Sequence, residues 1–235
     1  MAIEILPAFE RGSSDHGWLH SRFSFSFGDY YDPQRMAFGA LRVLNDDIIE
    51  AGHGFDMHPH ANFEIVTIVL EGELEHKDSM GNKEIVKVGE VQRMSAGSGI
   101  THSEFNPSKT ARTKLLQIWV KPKKLNIKPN YGQKKLPAEK MRNKLFEVAG
   151  GSLKGEMKMN QDARFLLADL EAKKSVSHAI KGAGLGVYVF VIEGSVEANG
   201  AGLGERDAAQ ITGEKKVEIT AKGKSKVLLI EVPMA

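Results

Sequence analysis

Two short motifs give the sequence its clearest capacity for chemistry. HPH occupies residues 58–60, just before an apolar segment, and HSE occupies residues 102–104. In an extended strand the side chains at positions i and i+2 point to the same side, so each motif presents a pair of potential metal ligands. Two such strands facing each other inside a barrel would surround one ion. The predicted ligands are His58, His60, His102 and Glu104.

Three imidazoles and one carboxylate favour a divalent transition metal. Iron, manganese, cobalt, nickel, copper and zinc all accept such ligands, whereas magnesium and calcium prefer oxygen. With one anionic ligand the site keeps a positive charge, so an open position can attract an anionic substrate oxygen. The sequence contains no cysteine, which excludes disulfides and thiolate metal sites.

Short strands punctuated by glycine must position these ligands. Segments rich in Val, Ile and Leu and bounded by turn residues are predicted to be strands. They are residues 64–70, 84–88, 114–120, 187–192, 215–220 and 226–232. Strands of this length and spacing indicate an all-β sandwich or barrel.

An internal repeat indicates two similar domains. Residues 68–99 and 190–213 share one order: strand, Glu-Gly, strand, glycine turn, Gly-Glu and strand. A hydrophobic strand follows each copy, LLQIWV in the first and VLLIEV in the second. Two copies of one β unit predict two domains of the same architecture.

A lysine-rich segment at residues 121–144 connects the two copies. A solvated connection is the interpretation that we favour, because a basic run with Tyr131 as its one aromatic residue is weak evidence for nucleic-acid binding. One short helix is predicted from Pro137 to Leu145, with proline in its first turn. The predicted domains are residues 1–135 and residues 136–235.

Charge and hydropathy exclude several classes of partner. The 32 basic and 30 acidic residues leave a formal net charge of +2, too small to indicate binding to nucleic acid or to a membrane surface. No apolar run reaches the roughly 18 residues of a membrane span. The first residues include acids and lack the apolar core of a secretory signal. We therefore expect a cytoplasmic protein.

Residues 52–72, GHGFDMHPHANFEIVTIVLEG, resemble the first cupin motif, and residues 89–106, GEVQRMSAGSGITHSEFN, resemble the second. Ser95 stands where the second motif usually has proline, and the interval from glycine to His102 is longer than in generic cupins. These departures, with Glu104 two residues after the histidine, resemble the pirin branch. Further pirin-like stretches are HGWLHSRFSFSFGDYYDP at 16–33, ALRVLNDDIIEAG at 40–52 and MSAGSGITHSEFNP at 94–107.

The resemblance to pirins implies two stacked cupin barrels, each a double-stranded β-helix or jelly roll. It implies one mononuclear iron in the N-terminal barrel, held by His58, His60, His102 and Glu104. It also implies a quercetin 2,3-dioxygenase that opens flavonols with dioxygen and releases carbon monoxide, with Glu104 as the candidate catalytic base. The ligand types alone do not separate iron(II) from manganese, cobalt, nickel, copper or zinc.

A second hypothesis stays open: a redox-sensing, metal-dependent module that binds a protein partner without catalysis. Animal pirins are described as redox-responsive nuclear co-regulators, and oxidation of a buried metal changes the charge of its site. Aerobic turnover of quercetin would discriminate between the two hypotheses.

Other candidate residues receive simpler interpretations. Glu64 matches the carboxylate that binds metal in generic cupins, and here we expect it to orient an imidazole through the free ring N–H. Phe23, Phe25 and Phe27 alternate with serine and are predicted to form one buried strand face. The second repeat has no histidine pair, so its barrel is predicted to bind no metal. Histidines expected to lie at the surface or in ordinary hydrogen bonds are His16, His20, His53, His76 and His178.

Overall fold

Short strands connected by glycine-containing turns make up almost all of the protein, as the sequence predicts. The computed structural model describes residues 2–234. The first strands are β1 (Ala2–Leu6), β2 (Gly12–Asp15), β3 (Leu19–Phe23), β4 (Leu41–Ile49), β5 (Gly54–His60), β6 (Glu64–Glu71) and β7 (Glu73–Asp78). The next are β8 (Lys83–Lys87), β9 (Glu90–Ser95), β10 (Ile100–Phe105), β11 (Thr113–Val120) and β12 (Asn130–Lys135).

The second half begins with a short helix and continues as strands. The helix is α1 (Ala138–Met141). The strands are β13 (Phe146–Gly150), β14 (Arg164–Leu170), β15 (Ser175–Ala179), β16 (Leu185–Glu193), β17 (Val196–Ala198), β18 (Ala201–Leu203), β19 (Ala208–Thr212), β20 (Lys216–Ala221) and β21 (Ser225–Pro233). Across the described residues, the structure contains no helix with the length and hydropathy of a membrane span.

Each half folds as a larger sheet and a smaller sheet that enclose a barrel. In the N-terminal half the orders are β12-β9-β6-β11-β4-β3-β2 and β5-β10-β7-β8. In the C-terminal half they are β1-β19-β16-β21-β14-β13 and β15-β20-β17-β18. Two cupin barrels of this kind, stacked on each other, confirm the fold that the pirin resemblance implies.

The first strand belongs to the sheet of the other half. β1 pairs with β19 in antiparallel register, with Ala2 opposite Thr212 and Leu6 opposite Ala208. The predicted boundary after residue 135 falls between β12 and α1. The division into residues 1–135 and 136–235 stays a prediction, and the N-terminal strand crosses it.

An apolar core joins the two barrels, and their interiors differ in how many apolar side chains they contain. Side chains of both large sheets form one buried cluster, with Val66 and Ile118 from the first sheet and Phe190 and Ile230 from the second. The interior of the C-terminal barrel is packed with buried Leu, Val, Ile and Ala. The N-terminal barrel instead has two small apolar clusters. The space between these clusters contains the polar side chains described below.

All six predicted strands are present, and their ends lie within two residues of those predicted. The helix predicted from Pro137 to Leu145 is wrong in length, because α1 ends at Met141. Asn143 then adopts a φ of 55°, and its backbone N–H donates to the Asp169 carbonyl at 2.8 Å. Pairing with the neighbouring strand thus competes successfully with helix propagation, which is weak for so short a segment.

The prediction of one buried face for Phe23, Phe25 and Phe27 is also wrong. Strand β3 ends at Phe23, so the alternation of a strand stops there. Phe25 packs in the core between the barrels, with its ring centroid 5.6 Å from that of Tyr188. Phe23 and Phe27 lie against each other, with centroids 5.7 Å apart, and both line a cavity in the N-terminal barrel.

We predict that Leu6→Ala lowers the free energy of unfolding by about 2–4 kcal/mol, the usual effect of truncating a buried leucine. Leu6 is 4% exposed and packs in the core between the barrels. Ile5→Ala on the same strand is the matched control, because Ile5 is 43% exposed. Equilibrium unfolding in urea checks both variants. Equal effects of the two substitutions would contradict a packing role for β1.

Candidate functional site

The pairing of β5 with β10 brings the two histidine motifs together. His58 lies directly opposite His102 in the antiparallel register, and His60 lies opposite Ile100. Ring centroids are 4.4 Å apart for His58 and His102, 4.8 Å for His58 and His60, and 4.9 Å for His60 and His102. One nitrogen from each ring lies within 4.8 Å of the others. This spacing allows three imidazoles to bind one ion.

Glu104 lies on the same strand, beside His102. The β5–β10 register shifts between His102 and Glu104, which is a β-bulge or similar irregularity and a feature that can re-aim a side chain. Potential ligand atoms of Glu104, His102 and His76 lie within 4.8 Å of one another. The predicted residues His58, His60, His102 and Glu104 all line one cavity of about 290 Å³.

A chain of hydrogen bonds orients Glu104. The Thr67 hydroxyl donates to Gln117 Oε1 at 3.0 Å, which turns the amide so that Gln117 Nε2 donates to Glu104 Oε2 at 2.8 Å. Glu104 Oε1 and His102 Nε2 are buried and have no hydrogen-bond partner among residues 2–234. Unpaired buried acceptors are costly, and a cation would satisfy both. The donor set therefore fits a metal ion.

Burial favours the neutral form of His60 and His102. Burial and the neighbouring imidazoles together lower the pKa of His102 to about 2, and burial and His58 together lower that of His60 to about 4. A neutral imidazole retains the lone pair that binds a metal. Burial also raises the pKa of Glu104 to about 7 and that of Asp47 to about 7. A cation nearby would favour the ionised form of these carboxyls.

His76 lies beside His102 and Glu104, a position that the sequence did not predict. It is fully buried, its Nε2 lies 3.2 Å from Asp78 Oδ2, and its Nδ1 lies 3.0 Å from Gln92 Nε2. The expectation of a hydrogen-bonded histidine is therefore confirmed. In the β7 segment ELEHKD, His76 stands two residues after the apolar Leu74, and this i, i+2 spacing was the available signal that His76 points inward.

The expected role of Glu64 as an orienting partner of an imidazole is wrong. Glu64 Oε2 accepts hydrogen bonds from Ser95 Oγ at 3.0 Å and from the backbone N–H of Asn160 at 2.9 Å. On β6, Val66 and Ile68 share its parity and pack between the barrels. The chain turns at Asn62, with a φ of 55°, so the alternation that starts at the histidines does not extend to Glu64.

The remaining predicted histidines lie outside the ligand cluster. His16 Nε2 is 2.9 Å from Ser14 Oγ, and His20 Nδ1 is 3.1 Å from Asp15 Oδ1. His53 stacks on Trp18, and the buried His178 Nε2 lies 2.8 Å from Glu231 Oε2. These positions agree with the surface or hydrogen-bonded roles expected from the sequence.

The cavity is lined by both aromatic and polar side chains. Phe23, Phe27, Phe55 and Trp119 are the aromatic ones, and the rings of Trp119 and His60 have centroids 4.8 Å apart. Asn45 and Asp47 from β4 are among the polar ones, together with Gln117 and Glu104. A concave, mostly apolar pocket with a few polar groups is typical of a small-molecule site.

Sequence comparison identifies relatives along nearly the whole chain. The family model described as Pirin matches residues 7–120, and the model described as Quercetinase C-terminal cupin domain matches residues 149–232. A quercetin 2,3-dioxygenase of Escherichia coli (strain K12) is 46% identical over 232 residues, which are 98% of this chain and 99% of that protein. A pirin-like protein of Caulobacter vibrioides is 39% identical, over 97% of this chain and 99% of its own.

Solved structures give the same result. The crystal structure of YhhW from Escherichia coli superimposes with a TM-score of 0.95 at 44% identity, covering 100% of this chain and 99% of its own. The bacterial pirin YhhW in complex with nickel(II) superimposes with a TM-score of 0.94 at 43% identity, covering 100% of both chains. The similarity extends through both barrels, and the chain is a member of the pirin family.

Proposed function

We propose that the protein binds one divalent transition metal through His58, His60, His102 and Glu104. The observation that carries this proposal is the convergence of three imidazoles beside a buried carboxylate whose Oε1 is unpaired among the described residues. The nickel(II) complex of the similar bacterial pirin supports a divalent metal. Within that class we propose iron(II), which such ligands accept.

We further propose that the metal-loaded protein is a dioxygenase that cleaves flavonols such as quercetin with dioxygen and releases carbon monoxide. The similar proteins named quercetin 2,3-dioxygenase support this activity. When bound, the metal supplies Lewis acidity that lowers the pKa of a substrate hydroxyl and a path for electrons to dioxygen.

The side chains of the site have separate tasks in this reaction. Glu104 accepts the proton of the flavonol 3-hydroxyl, and Gln117 fixes its carboxylate by donating to Oε2. Phe23, Phe27 and Trp119 contact the aromatic rings of the substrate and exclude water from the reacting atoms.

We expect His58→Ala and His60→Ala each to abolish stoichiometric metal binding and activity together, because each removes one of three imidazoles. His20→Ala is the control, since His20 bonds Asp15 outside the cluster. Plasma mass spectrometry of protein reconstituted with iron(II) and then dialysed measures metal per chain. Full metal content in both cavity variants would refute the ligand set.

Gln117→Met keeps the side-chain length and removes the donor to Glu104. We expect metal affinity to fall about 10–100-fold, the usual result of losing a partner that orients a ligand. Gln133→Met is the matched control, because Gln133 bonds Ile85, Tyr131 and Glu90 on the edge strand β12. Competition with a chelator of known affinity measures the change. Unchanged affinity would show that the Gln117 bond does not support the metal site.

Glu104→Gln preserves shape and removes both the charge and the proton acceptor. We expect quercetin turnover to fall about 10²–10⁴-fold, the contribution typical of a general base. Loss of flavonol absorbance and release of carbon monoxide in air measure turnover for protein loaded with each candidate metal. Undiminished cleavage by a metal-loaded variant would exclude Glu104 as the base. Absence of turnover by the unsubstituted protein with every metal would favour a protein-binding role.

A further inference from the structure

Strand β4 brings two unpaired polar groups to the cavity. Asn45 and Asp47 are each 3% exposed, and both line the cavity that contains the histidine cluster. Within residues 2–234, neither Asn45 Oδ1 nor Asp47 Oδ1 has a hydrogen-bond partner. Neither residue belongs to the proposed ligand set.

These positions are unusual for the strand that holds them. Side chains at i and i+2 share a face, and the next residues on this face, Val43 and Ile49, are apolar and buried. Two more apolar residues would continue this packing without leaving an acceptor unpaired. Burying an acceptor without a donor costs about as much as the hydrogen bond it lacks. The cavity therefore contains two oxygen acceptors to which a bound molecule can donate.

The aromatic lining of the same cavity narrows the chemistry of that molecule. Phe23, Phe27 and Trp119 present aromatic surface to the same space. Aromatic walls favour a flat aromatic ligand. A hydroxyl donates only one hydrogen, so two acceptors require two separate donors on the ligand.

We propose that Asn45 and Asp47 determine specificity by accepting hydrogen bonds from ligand hydroxyls other than the one that reacts. The cavity thereby selects polyhydroxylated aromatic compounds over aromatic compounds with a single hydroxyl. This inference rests on the proposed function, in which Glu104 accepts the proton of the reacting hydroxyl. Water pairs the two oxygens before binding, and a ligand without donors displaces that water and leaves them unpaired.

The test compares binding of quercetin with that of 3-hydroxyflavone, which keeps the reacting hydroxyl and lacks the others. Calorimetric titration of iron(II)-loaded protein without dioxygen separates binding from turnover. We expect quercetin to bind at least about 10-fold more tightly, since each added hydrogen bond contributes severalfold. Asn45→Leu and Asp47→Leu should each reduce this ratio about 3–10-fold by weakening quercetin alone. Asp47→Asn, which keeps an acceptor oxygen, should retain most of the preference.

Equal affinity of the unsubstituted protein for the two flavonols would overturn the inference, and so would an unchanged ratio in both leucine variants. Circular dichroism establishes that the variants fold, and the ratio for the unsubstituted protein tests the inference without them. If quercetin binds with the expected preference and is not cleaved in air, the proposed reaction fails while this assignment stands. If neither flavonol binds, the proposed reaction and the assignment of Asn45 and Asp47 are both wrong.

Discussion

The antiparallel pairing of β5 with β10 is the constraint on which the rest of the site depends. It sets His58 across from His102 and brings in Glu104 beyond the register shift that follows. Imidazoles on flexible loops would have to be ordered when the metal binds, at a cost in conformational entropy. Here the ladder of backbone hydrogen bonds orders them during folding. The geometry of the histidine cluster thus follows from strand register.

The two barrels differ in the polar side chains that they bury. The C-terminal barrel is filled mainly by apolar side chains, and its buried His178 and Glu231 pair with each other. The N-terminal barrel divides its apolar residues into two small clusters and buries Gln92, Thr67 and Gln117 between them. Each of these polar groups needs a partner, and the hydrogen bonds from Thr67 through Gln117 to Glu104 form one such connected network. The shared apolar core between the two barrels packs them against each other.

Glu64 occupies a metal-ligand position of the generic cupin motif but makes hydrogen bonds between the two halves instead. Its carboxylate joins Ser95 and the Asn160 backbone, and Arg93 donates to Ser95 and to the Glu156 carbonyl. Residues 156 and 160 precede β14, so these bonds fasten a loop of the C-terminal half to the N-terminal barrel. Ser95, which replaces the usual proline of the second cupin motif, supplies the hydroxyl that links the carboxylate to the guanidinium. The departure from the motif therefore coincides with an interaction between the barrels.

The sequence by itself determined the strands, the repeat and the ligand candidates, because alternation, glycine turns and the i, i+2 spacing of histidines are local properties. It could not determine which residues meet across sheets. The Glu64 prediction failed because the turn at Asn62 resets the alternation, and the Phe25 prediction failed because β3 ends two residues earlier. Strand pairings between distant segments bring Gln117, His76 and two polar residues of β4, Asn45 and Asp47, to the site. Only the tertiary structure decided those contacts, since register and sheet order depend on packing of the whole chain.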